Sequence, residues 1–465
     1  MNGTVATFAK EEFGAADLGD ARLNARLMQV AEQLAAHPNE TFPKKFHDPA
    51  DLQGFYRLMK HQRVTHESVL APHRDATWGR MRATPGVTLL LHDTTVLDYS
   101  GLKSIQDLGP VGNGHGRGLC CHNCLAVAAS SREVLGLAGQ VLHRRRKVPK
   151  GEKRKARQRH PRRESLLWKT LSKSIPPAPA EGPLGQRWVD VADRGADITE
   201  FLDYEEQAGK HYVVRSQHNR WICRENEGKA DKIKLHDLAR SLPAAGRRTV
   251  EVQAKEGQAA RTAEVSVSWQ KVTILPPRQR RGEERGVPLT SWVVRVWEAT
   301  PPKGVEALEW ILLTNVPIQT LTEAFERVDW YGLRWIVEEY HKAQKTGCDI
   351  ESMQFSYLKR LESAIALLSV IAVLLLSLRD QSRAADAKER PATTVVPALW
   401  VRMLSKWRHK VVCMDWSVHD FFYALARLGG HQNRKQDHRP GWLVIWRGWM
   451  HLQAMLDGAA TLGVT

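Results

Sequence analysis

The spacing of apolar residues predicts helices near the start of the chain. Asp20 is a suitable N-cap, and apolar residues follow it at helical intervals, at Leu23, Leu27, Val30 and Leu34. Arg22 and Arg26 then fall on the open face of this helix. Further basic residues surround a second predicted helix: Lys44, Lys45, Arg57, Lys60, His61 and Arg63. A basic helical bundle of this kind suits binding to DNA phosphates, although an ordinary basic surface has the same pattern.

The pattern changes at Val87, where a continuous apolar run predicts a buried strand that ends at Asp93. Two further apolar runs, at 118–130 and 133–142, predict two more strands, so that 87–142 forms three consecutive antiparallel strands. The second run contains a cluster of possible zinc ligands: Cys120, Cys121, His122 and Cys124. No second ligand pair with finger-like spacing follows, which favours small apolar strand residues over a zinc site.

A second acid also stands at a predicted strand end. The strand Trp188–Ala192 is followed by Asp193, and a helix is predicted to begin almost at once. Asp190 and Asp197 are the competing acids, but one lies within the strand and the other lies a helical turn further on. The terminal position therefore favours Asp193, and a further strand at 211–219 carries Arg215.

Alternating Val and Thr residues predict a β-rich insertion at about 220–300, with a basic turn at 276–286. The segment 306–315 then predicts a buried strand that contains Trp310 and leads into an acidic helix. The predicted fold class is mixed α/β: a mixed sheet with helices, interrupted by a strand-rich insert before its final acidic helix.

The segment 329–347 predicts one helix with a polar stripe. Its polar residues Tyr331, Arg334, Glu338 and Lys345 are spaced by three, four and seven positions. At 3.6 residues per turn this spacing puts all four on one face. A solvated face with salt bridges explains the same spacing, so the stripe alone does not indicate chemistry.

Composition and charge narrow the function classes. The chain of 465 residues has 68 Lys and Arg against 51 Asp and Glu, a formal net charge of +17 and a pI near 9.7. This balance suits a polyanion, with nucleic acid as the first partner and an anionic membrane surface as the second. The N-terminal segment has no signal-peptide pattern, and the apolar run 364–378 is too short to span a membrane, which predicts a buried helix and no membrane partner. Six unevenly spaced cysteines suit a reducing cytoplasm.

One basic segment and three apolar segments have more than one interpretation. A dense basic run such as 143–163 is usually flexible and solvated, or it clamps nucleic acid as a loop, and we expect a mobile loop that touches the DNA backbone. The apolar and aromatic segments 364–378, 420–430 and 441–458 need either a partner chain or a core of their own.

Three carboxylates, Asp93 and Asp193 at strand ends and Glu338 on a helix, match the ligand needs of two Mg²⁺ ions. Two such ions about 3.5 to 4 Å apart stabilise the attacking and leaving oxygens when a phosphodiester is displaced. The basic surroundings would hold the DNA.

This trio resembles the DDE signature of transposases with a ribonuclease H-like core. The pattern Tyr331-x2-Arg334-x3-Glu338-x6-Lys345 resembles the YREK signature of the insertion-sequence-four family of DDE transposases. The similarity covers nearly all of the chain and includes LGDARLNARL, HDTT at Asp93, ADRGADI at Asp193 and RWIVEEYHKAQKTG at Glu338.

The resemblance implies roles for individual residues. Asp93, Asp193 and Glu338 would be the catalytic residues and the ligands of two Mg²⁺ ions, which Mn²⁺ would replace. Tyr331, Arg334 and Lys345 would contact phosphates of the transposon end. Trp310 would stack on a flipped base, although core packing is its ordinary role. Arg215, Arg22 and Arg26 would also bind DNA.

The resemblance also implies a cut-and-paste reaction. One strand is nicked at each transposon end, the freed 3′-hydroxyl forms a hairpin, water reopens it, and the ends join target DNA. The implied partners are double-stranded DNA and a second copy of the chain in a synaptic homodimer. The implied domains are an end-binding domain at 1–75, a catalytic domain at 76–360 and a dimerisation domain at 361–465.

Two features depart from the family pattern, the high charge of 143–163 and the Cys-rich strand. Two rival functions share part of the evidence. A junction resolvase would use the same acids but would not need the Tyr-Arg-Glu-Lys stripe. A DNA-binding protein without activity would have no reason to place three mutually repelling carboxylates beside phosphate.

Overall fold

The structure is a computed structural model that describes residues 3–38, 40–46, 48–179, 186–226, 229–252, 261–277, 286–434, 437 and 439–463. Most of the predicted basic turn at 276–286 lies outside these residues. Within them the chain is mixed α/β, with a helical N-terminal region, one large mixed sheet and helices at the C-terminal end. The predicted fold class is confirmed at that level.

The N-terminal helices begin where the sequence supplies capping side chains. The helices are α1 Gly3–Phe13, α2 Ala21–Ala36, α3 Phe42–Lys45, α4 Pro49–Lys60 and α5 His66–Ala83. Asp20 Oδ1 accepts a 2.8 Å hydrogen bond from the backbone N–H of Arg22, which confirms the predicted N-cap of α2. Thr65 and Ser68 form a reciprocal capping box at the start of α5.

The next elements are four strands: β1 Val87–Asp98, β2 Gly109–Val111, β3 Gly116–Ala128 and β4 Val134–His143. β1 pairs antiparallel with β3, and β3 pairs antiparallel with β4, so the predicted three-stranded unit is confirmed. The predicted end of β1 at Asp93 is wrong, because β3 continues to pair with β1 as far as Asp98. The cysteines of β3 are buried free thiols.

The basic segment 143–163 contains a short helix, α6 Arg154–Arg159, in place of a continuous loop. α7 Leu167–Ser174, β5 Arg187–Ala192, α8 Thr199–Gln207 and β6 His211–Arg215 follow. β5 pairs parallel with both β1 and β6. Because both pairings are parallel, the carboxyl ends of β1, β5 and β6 point in the same direction in the sheet.

The predicted β-rich insertion extends this same sheet. Its elements are β7 Trp221–Asn226, β8 Lys229–Lys234, α9 Leu235–Ser241, β9 Gly246–Val252, β10 Arg261–Ile274 and β11 Leu289–Trp297, and β12 Glu309–Thr314 follows. Along the described strands the order is β2-β3-β1-β5-β6-β12-β11-β10-β7-β8, with β4 on β3 and β9 on β10. β12 therefore returns the chain from the insertion to the side of β6.

The predicted single helix at 329–347 is wrong, because the chain divides it into three pieces. α10 Leu321–Gly332 ends at a turn, α11 Trp335–Lys342 follows, and a π-helical turn spans Ala343–Gly347. Gly332 sits at the interruption, where its low helix propensity lowers the cost of a break. The break and the π-turn change the directions in which the stripe residues project.

The described part of the C-terminal region contains the helices α12 Leu358–Arg383, α13 Ala398–His409, α14 Val418–Leu428 and α15 Trp442–Thr461. α12 is long and apolar enough to cross a membrane by composition, but 89% of its most apolar window is buried inside the protein. It packs against the N-terminal helices, β4 and the other C-terminal helices. The sequence leaves two alternatives for these apolar segments, a partner chain or a core. Their described residues pack into a core that they share with the N-terminal helices and the sheet.

Candidate active site

Asp93 and Asp193 lie side by side at one edge of the β1–β5 pair. The parallel register between these strands ends at His92 and Ala192, so Asp93 is the next residue of β1 and Asp193 is the residue that follows β5. Adjacent strands lie about 4.8 Å apart, which makes the two acids neighbours. Asp193 also caps a 3₁₀ turn at Arg194–Ala196, with its Oδ1 accepting a 2.9 Å hydrogen bond from Gly195 N–H.

Arg334 connects Asp93 with Glu338. Its Nη1 donates to Asp93 Oδ2 at 3.1 Å, and its Nη2 donates to Glu338 Oε1. Arg334 lies in the turn between α10 and α11, and Glu338 follows in the first turn of α11. The interruption at Gly332 therefore places the guanidinium over the end of β1, and α11 supplies the third acid.

The charges of these groups act on one another. Burial raises the pKa of Asp93 to about 6; Arg334 opposes this rise, whereas the negative charges of Asp193 and Glu338 add to it. Burial alone would lower the pKa of Arg334, but the negative charges of Asp93 and Glu338 hold that pKa above its ordinary value. All three predicted acids are therefore within electrostatic reach of one guanidinium.

The donor set suits a hard divalent cation, because carboxylate oxygens are the preferred ligands of Mg²⁺. However, among the described residues no group of three or more His, Cys, Asp or Glu side chains is arranged to hold a metal ion. The positive charge that faces Asp93 and Glu338 is the guanidinium of Arg334. The residue types fit a metal site, and the present arrangement is one in which an arginine neutralises two of the acids.

Tyr331, Trp310 and Arg215 form an aromatic and basic group beside the acids. The rings of Trp310 and Tyr331 meet edge to face with centroids 5.1 Å apart. Burial raises the pKa of Tyr331, while Arg334 and Arg215 oppose that rise. Arg215 Nη2 donates to the carbonyl of Glu309 at 3.0 Å, which fixes it against β12. Trp310 is half-buried, as a residue at the margin of a site would be.

Lys345 does not share this cluster. It lies in the π-turn and forms a 3.1 Å ion pair with Glu351, whose Oε1 also accepts from the backbone N–H of Asp98 at 2.8 Å. Asp98 is the last residue of β1, five positions beyond Asp93. Lys345 therefore lies near the last residue of β1, a position suited to a phosphate next to the one at the acids.

Sequence reasoning missed His341 and Asn123. His341 Nδ1 lies 4.0 Å from Asp93 Oδ2, and its Nε2 accepts from Asn123 Nδ2 at 3.1 Å. Burial lowers the pKa of His341 to about 3, so this ring is neutral beside the acids. The spacing of three residues from Glu338 could have indicated His341. Asn123 lies beside Asp93 because of the register between β1 and β3, which no local sequence pattern gives.

The two competing aspartates have internal partners. Asp190 Oδ1 lies 2.6 Å from His92 Nε2, and both side chains are buried. Asp197 pairs with Arg220 and accepts from the backbone N–H groups of Gln217 and His218 at 2.7 and 2.8 Å. Both acids therefore have local structural roles.

The N-terminal helices carry the other predicted contacts. Arg22 is exposed, whereas Arg26 pairs with Asp51 at 2.9 Å. A nearby surface hollow of about 780 Å³ is lined by Gly19, Asp20, Arg57, Lys60, His61, Gln62 and Arg63. The prediction that Lys45 adds to the surface charge is wrong: it is 2% exposed and donates to the carbonyl of Cys348 at 3.3 Å.

One comparison with known families bears on this region. Residues 5–64 match the family model described as transposase DNA-binding. The match covers the helices that carry Arg22, Arg26 and the basic hollow. It supports a DNA-binding transposase, with DNA as a partner, and it extends over the N-terminal region alone.

Proposed function

We propose that this protein is a DDE transposase of the insertion-sequence-four family, with a ribonuclease H-like catalytic core. The observation that carries the proposal is the meeting of Asp93, Asp193 and Glu338 around Arg334, in a chain whose residues 5–64 match a transposase DNA-binding model. The mixed sheet, with two acids at neighbouring strand positions and a third on a following helix, supports the assignment of the core.

The three carboxylates would hold two Mg²⁺ ions, or Mn²⁺ in their place. When bound, such ions stabilise the charge on the attacking and leaving oxygens of a phosphodiester. The ion pairs of Arg334 with Asp93 and Glu338 offset the repulsion among the three carboxylates, which would otherwise oppose their close approach.

Arg334 has a second role in this proposal. A guanidinium binds phosphate in the same bidentate manner as carboxylate. A scissile phosphate that arrives at the site would compete with Asp93 and Glu338 for Arg334, and the two carboxylates would then be released for metal. Tyr331 and Lys345 would bind adjacent phosphates, and Trp310 would stack on a base displaced from the duplex.

The proposed reaction is cut-and-paste transposition. Hydrolysis of one strand at each transposon end frees a 3′-hydroxyl, which attacks the opposite strand to make a hairpin. Hydrolysis of the hairpin restores the 3′-hydroxyl, which then joins target DNA. The end-binding helices would bring two ends to a homodimer, each copy cutting the end that the other binds.

The test is cleavage of a duplex that carries the element's terminal repeat, with Mg²⁺ or with EDTA, on a denaturing gel. We expect a metal-dependent hairpin from the wild type and none from Glu338→Gln. Glu389→Gln is the matched control, because Glu389 is exposed and lies on the C-terminal side of α12. Binding of the end without cleavage would favour an inactive DNA-binding protein, and cleavage of branched DNA without preference for the end would favour a resolvase.

A further inference from the structure

The segment 143–163, here called the basic strap, concentrates the charge of the protein. It has twelve Lys and Arg residues and one acid, Glu152, so it contributes eleven of the seventeen net positive charges of the chain. The N-terminal region that matches the DNA-binding model does not account for this charge. The position of this charge favours a second surface for a polyanion, apart from the N-terminal helices.

Eleven of the twelve Lys and Arg residues of the strap fall into two sets. Five arginines form ion pairs with carboxylates, and these pairs are Arg144–Asp107, Arg145–Glu164, Arg146–Glu152, Arg157–Glu152 and Arg163–Glu200. The strap backbone also approaches β2 closely, since a Cβ on Gly109 would lie 2.5 Å from the carbonyl oxygen of Arg145. Arg144 and Arg163 thus fasten the strap to the segment before β2 and to α8, whereas the two pairs with Glu152 hold the strap to itself.

The second set faces solvent. It consists of six exposed residues that have no ion pair with any described residue: Lys147, Lys150, Lys153, Arg154, Lys155 and Arg162. Unpaired like charges held together by neighbouring anchors raise the local positive potential and repel one another. Such a surface gains free energy when a polyanion covers it.

The strand register places the strap beside the candidate active site. His143 pairs with Cys120 on β3, and Cys120 pairs with Val96 on β1. The strap therefore leaves the sheet two strands from Asp93 and three residues further along, a displacement of roughly 10 Å in each direction. At its other end, Arg163 is paired with Glu200 on α8, the helix that follows Asp193.

We infer that the basic strap binds the phosphate backbone of duplex DNA next to the acids, without reading its sequence. Four of the six unpaired residues are lysines, which act as point charges and lack the planar fork of arginine. The inference rests on the proposed function for its choice of DNA. The N-terminal helices would recognise the transposon end, and the strap would hold duplex of any sequence.

The test uses the full chain and a 40-base-pair duplex that lacks the terminal repeat, with binding followed by fluorescence anisotropy from 50 to 200 mM salt. The strap variant combines Lys150→Gln, Lys153→Gln, Arg154→Gln and Lys155→Gln. The matched control removes the same charges from exposed positions on the β11–β12 connection and the C-terminal helical region: Lys303→Gln, Lys388→Gln, Arg402→Gln and Lys406→Gln.

We expect the strap variant to bind at least about tenfold more weakly than the control. Its slope of log affinity against log salt should be less steep by about 3 to 4, since each phosphate contact contributes about 0.9. A second variant, Lys147→Gln with Arg162→Gln, should lose about half as much. Thermal melting checks the folding of each variant, which the sparing of all anchoring arginines should preserve.

Equal affinities and slopes in the strap variant and its control would overturn the inference. So would a loss confined to binding of anionic phosphatidylserine vesicles, which would make the strap a membrane surface. Neither result depends on cleavage, so failure of the inference is distinguishable from failure of the proposed transposase activity.

Discussion

His92 and Asp93 are neighbours on β1 and belong to two different polar groups. His92 is completely buried and joins Asp190 at 2.6 Å and His122 at 3.4 Å. Asp93 lies where the pairing of β1 with β5 has ended, and it meets Arg334 together with two further acids. Successive residues of a strand face opposite sides, which separates the two groups completely.

The buried group is built for stability. Near Asp190, Glu205 accepts from Ser172 at 2.6 Å, and Lys210 donates to the carbonyls of Ser172 and Ile175 at 2.5 and 2.8 Å. Burial, aided by the negative charge of Asp190, raises the pKa of Glu205, which favours the neutral form of this carboxyl group. Charge is thereby kept low where no solvent can screen it.

The group formed by Asp93, Asp193, Glu338 and Arg334 has the opposite character. It places three carboxylates around one guanidinium, so negative charge exceeds positive charge among these residues. Such an excess costs stability and is characteristic of groups kept for binding or chemistry. The partners of an acid, more than its position along a strand, therefore distinguish a functional acid from a structural one.

Substitution of Asp93 should change the cleavage rate more than any other substitution considered below. Asp93→Asn should lower end cleavage by at least about 10³-fold, because several kcal/mol of transition-state stabilisation would be lost. Its melting temperature should stay within a few degrees of the wild type, since the substitution removes a repelling charge. Gel-based cleavage rates and thermal melting give both values.

Asp190→Ala is the counterpart in the buried group. It should destabilise the fold by about 3 to 5 kcal/mol, the usual result of removing one partner from a buried pair. Urea unfolding followed by tryptophan fluorescence measures the loss. A stable Asp190→Ala protein that fails to cleave would contradict the division between the two groups.

The next prediction uses a buried charge that belongs to neither group. Burial lowers the pKa of Lys45 to about 8, from an unfolded value near 10.5. Below pH 8 the lysine is charged in both states, and its burial costs about 3 kcal/mol. As pH rises from 8 to 10.5 the folded protein loses this proton before the unfolded chain does, so the cost disappears and stability rises through that window.

Lys45→Met should therefore stabilise the protein below pH 8 and abolish this rise. Urea unfolding at several pH values measures it, with Lys44→Met as the matched control, because Lys44 has a 73% exposed side chain. Equal pH profiles for the two variants would show that Lys45 reaches solvent.

A smaller effect is expected when the central guanidinium is removed. Without DNA, Arg334→Gln should bind Mn²⁺ at least about tenfold more tightly than the wild type, since a unit charge a few ångströms away opposes cation binding by a few kcal/mol. Isothermal titration calorimetry measures the affinity. Arg248→Gln is a control, because that arginine pairs with Asp329 on the preceding helix. Weaker Mn²⁺ binding by Arg334→Gln would contradict the view that the arginine competes with metal.

The smallest effect compares a free with a paired arginine on α2. Arg22 is exposed, whereas Arg26 has to leave Asp51 before it can bind a phosphate. Arg22→Gln should therefore weaken end binding severalfold, and Arg26→Gln should weaken it less. Anisotropy with the terminal repeat tests this order, and the reverse order would mean that the Arg26–Asp51 pair opens on DNA.

Much of the fold could be predicted because its signals are local. The N-cap at Asp20 and the antiparallel unit of β1, β3 and β4 follow from side-chain chemistry and periodicity over a few residues. The extension of β1 to Asp98 could not be predicted in this way, since β3 pairs with polar residues that do not look like a buried strand.

The candidate site was predicted in its residue types but not in its contacts. The period of the 329–347 stripe gave no sign of the break near Gly332, because a helix and an interrupted helix share the same local spacing. Lys45 was assigned to the surface by its charge, although tertiary packing against Cys348 buries it. Partners brought together from distant parts of the chain decide such cases, and no local pattern records them.

The most direct test of the active site is iron-mediated backbone cleavage. Fe²⁺ replaces Mg²⁺ at oxygen-ligand sites, and with ascorbate and peroxide it cuts the polypeptide next to its ligands. In the presence of the terminal-repeat duplex, we predict fragments that end near Asp93, Asp193 and Glu338, and their loss in excess Mg²⁺ or in Glu338→Gln. Cuts elsewhere in the chain, or the same cuts in Glu338→Gln, would contradict the assignment of these three acids as one metal-binding site.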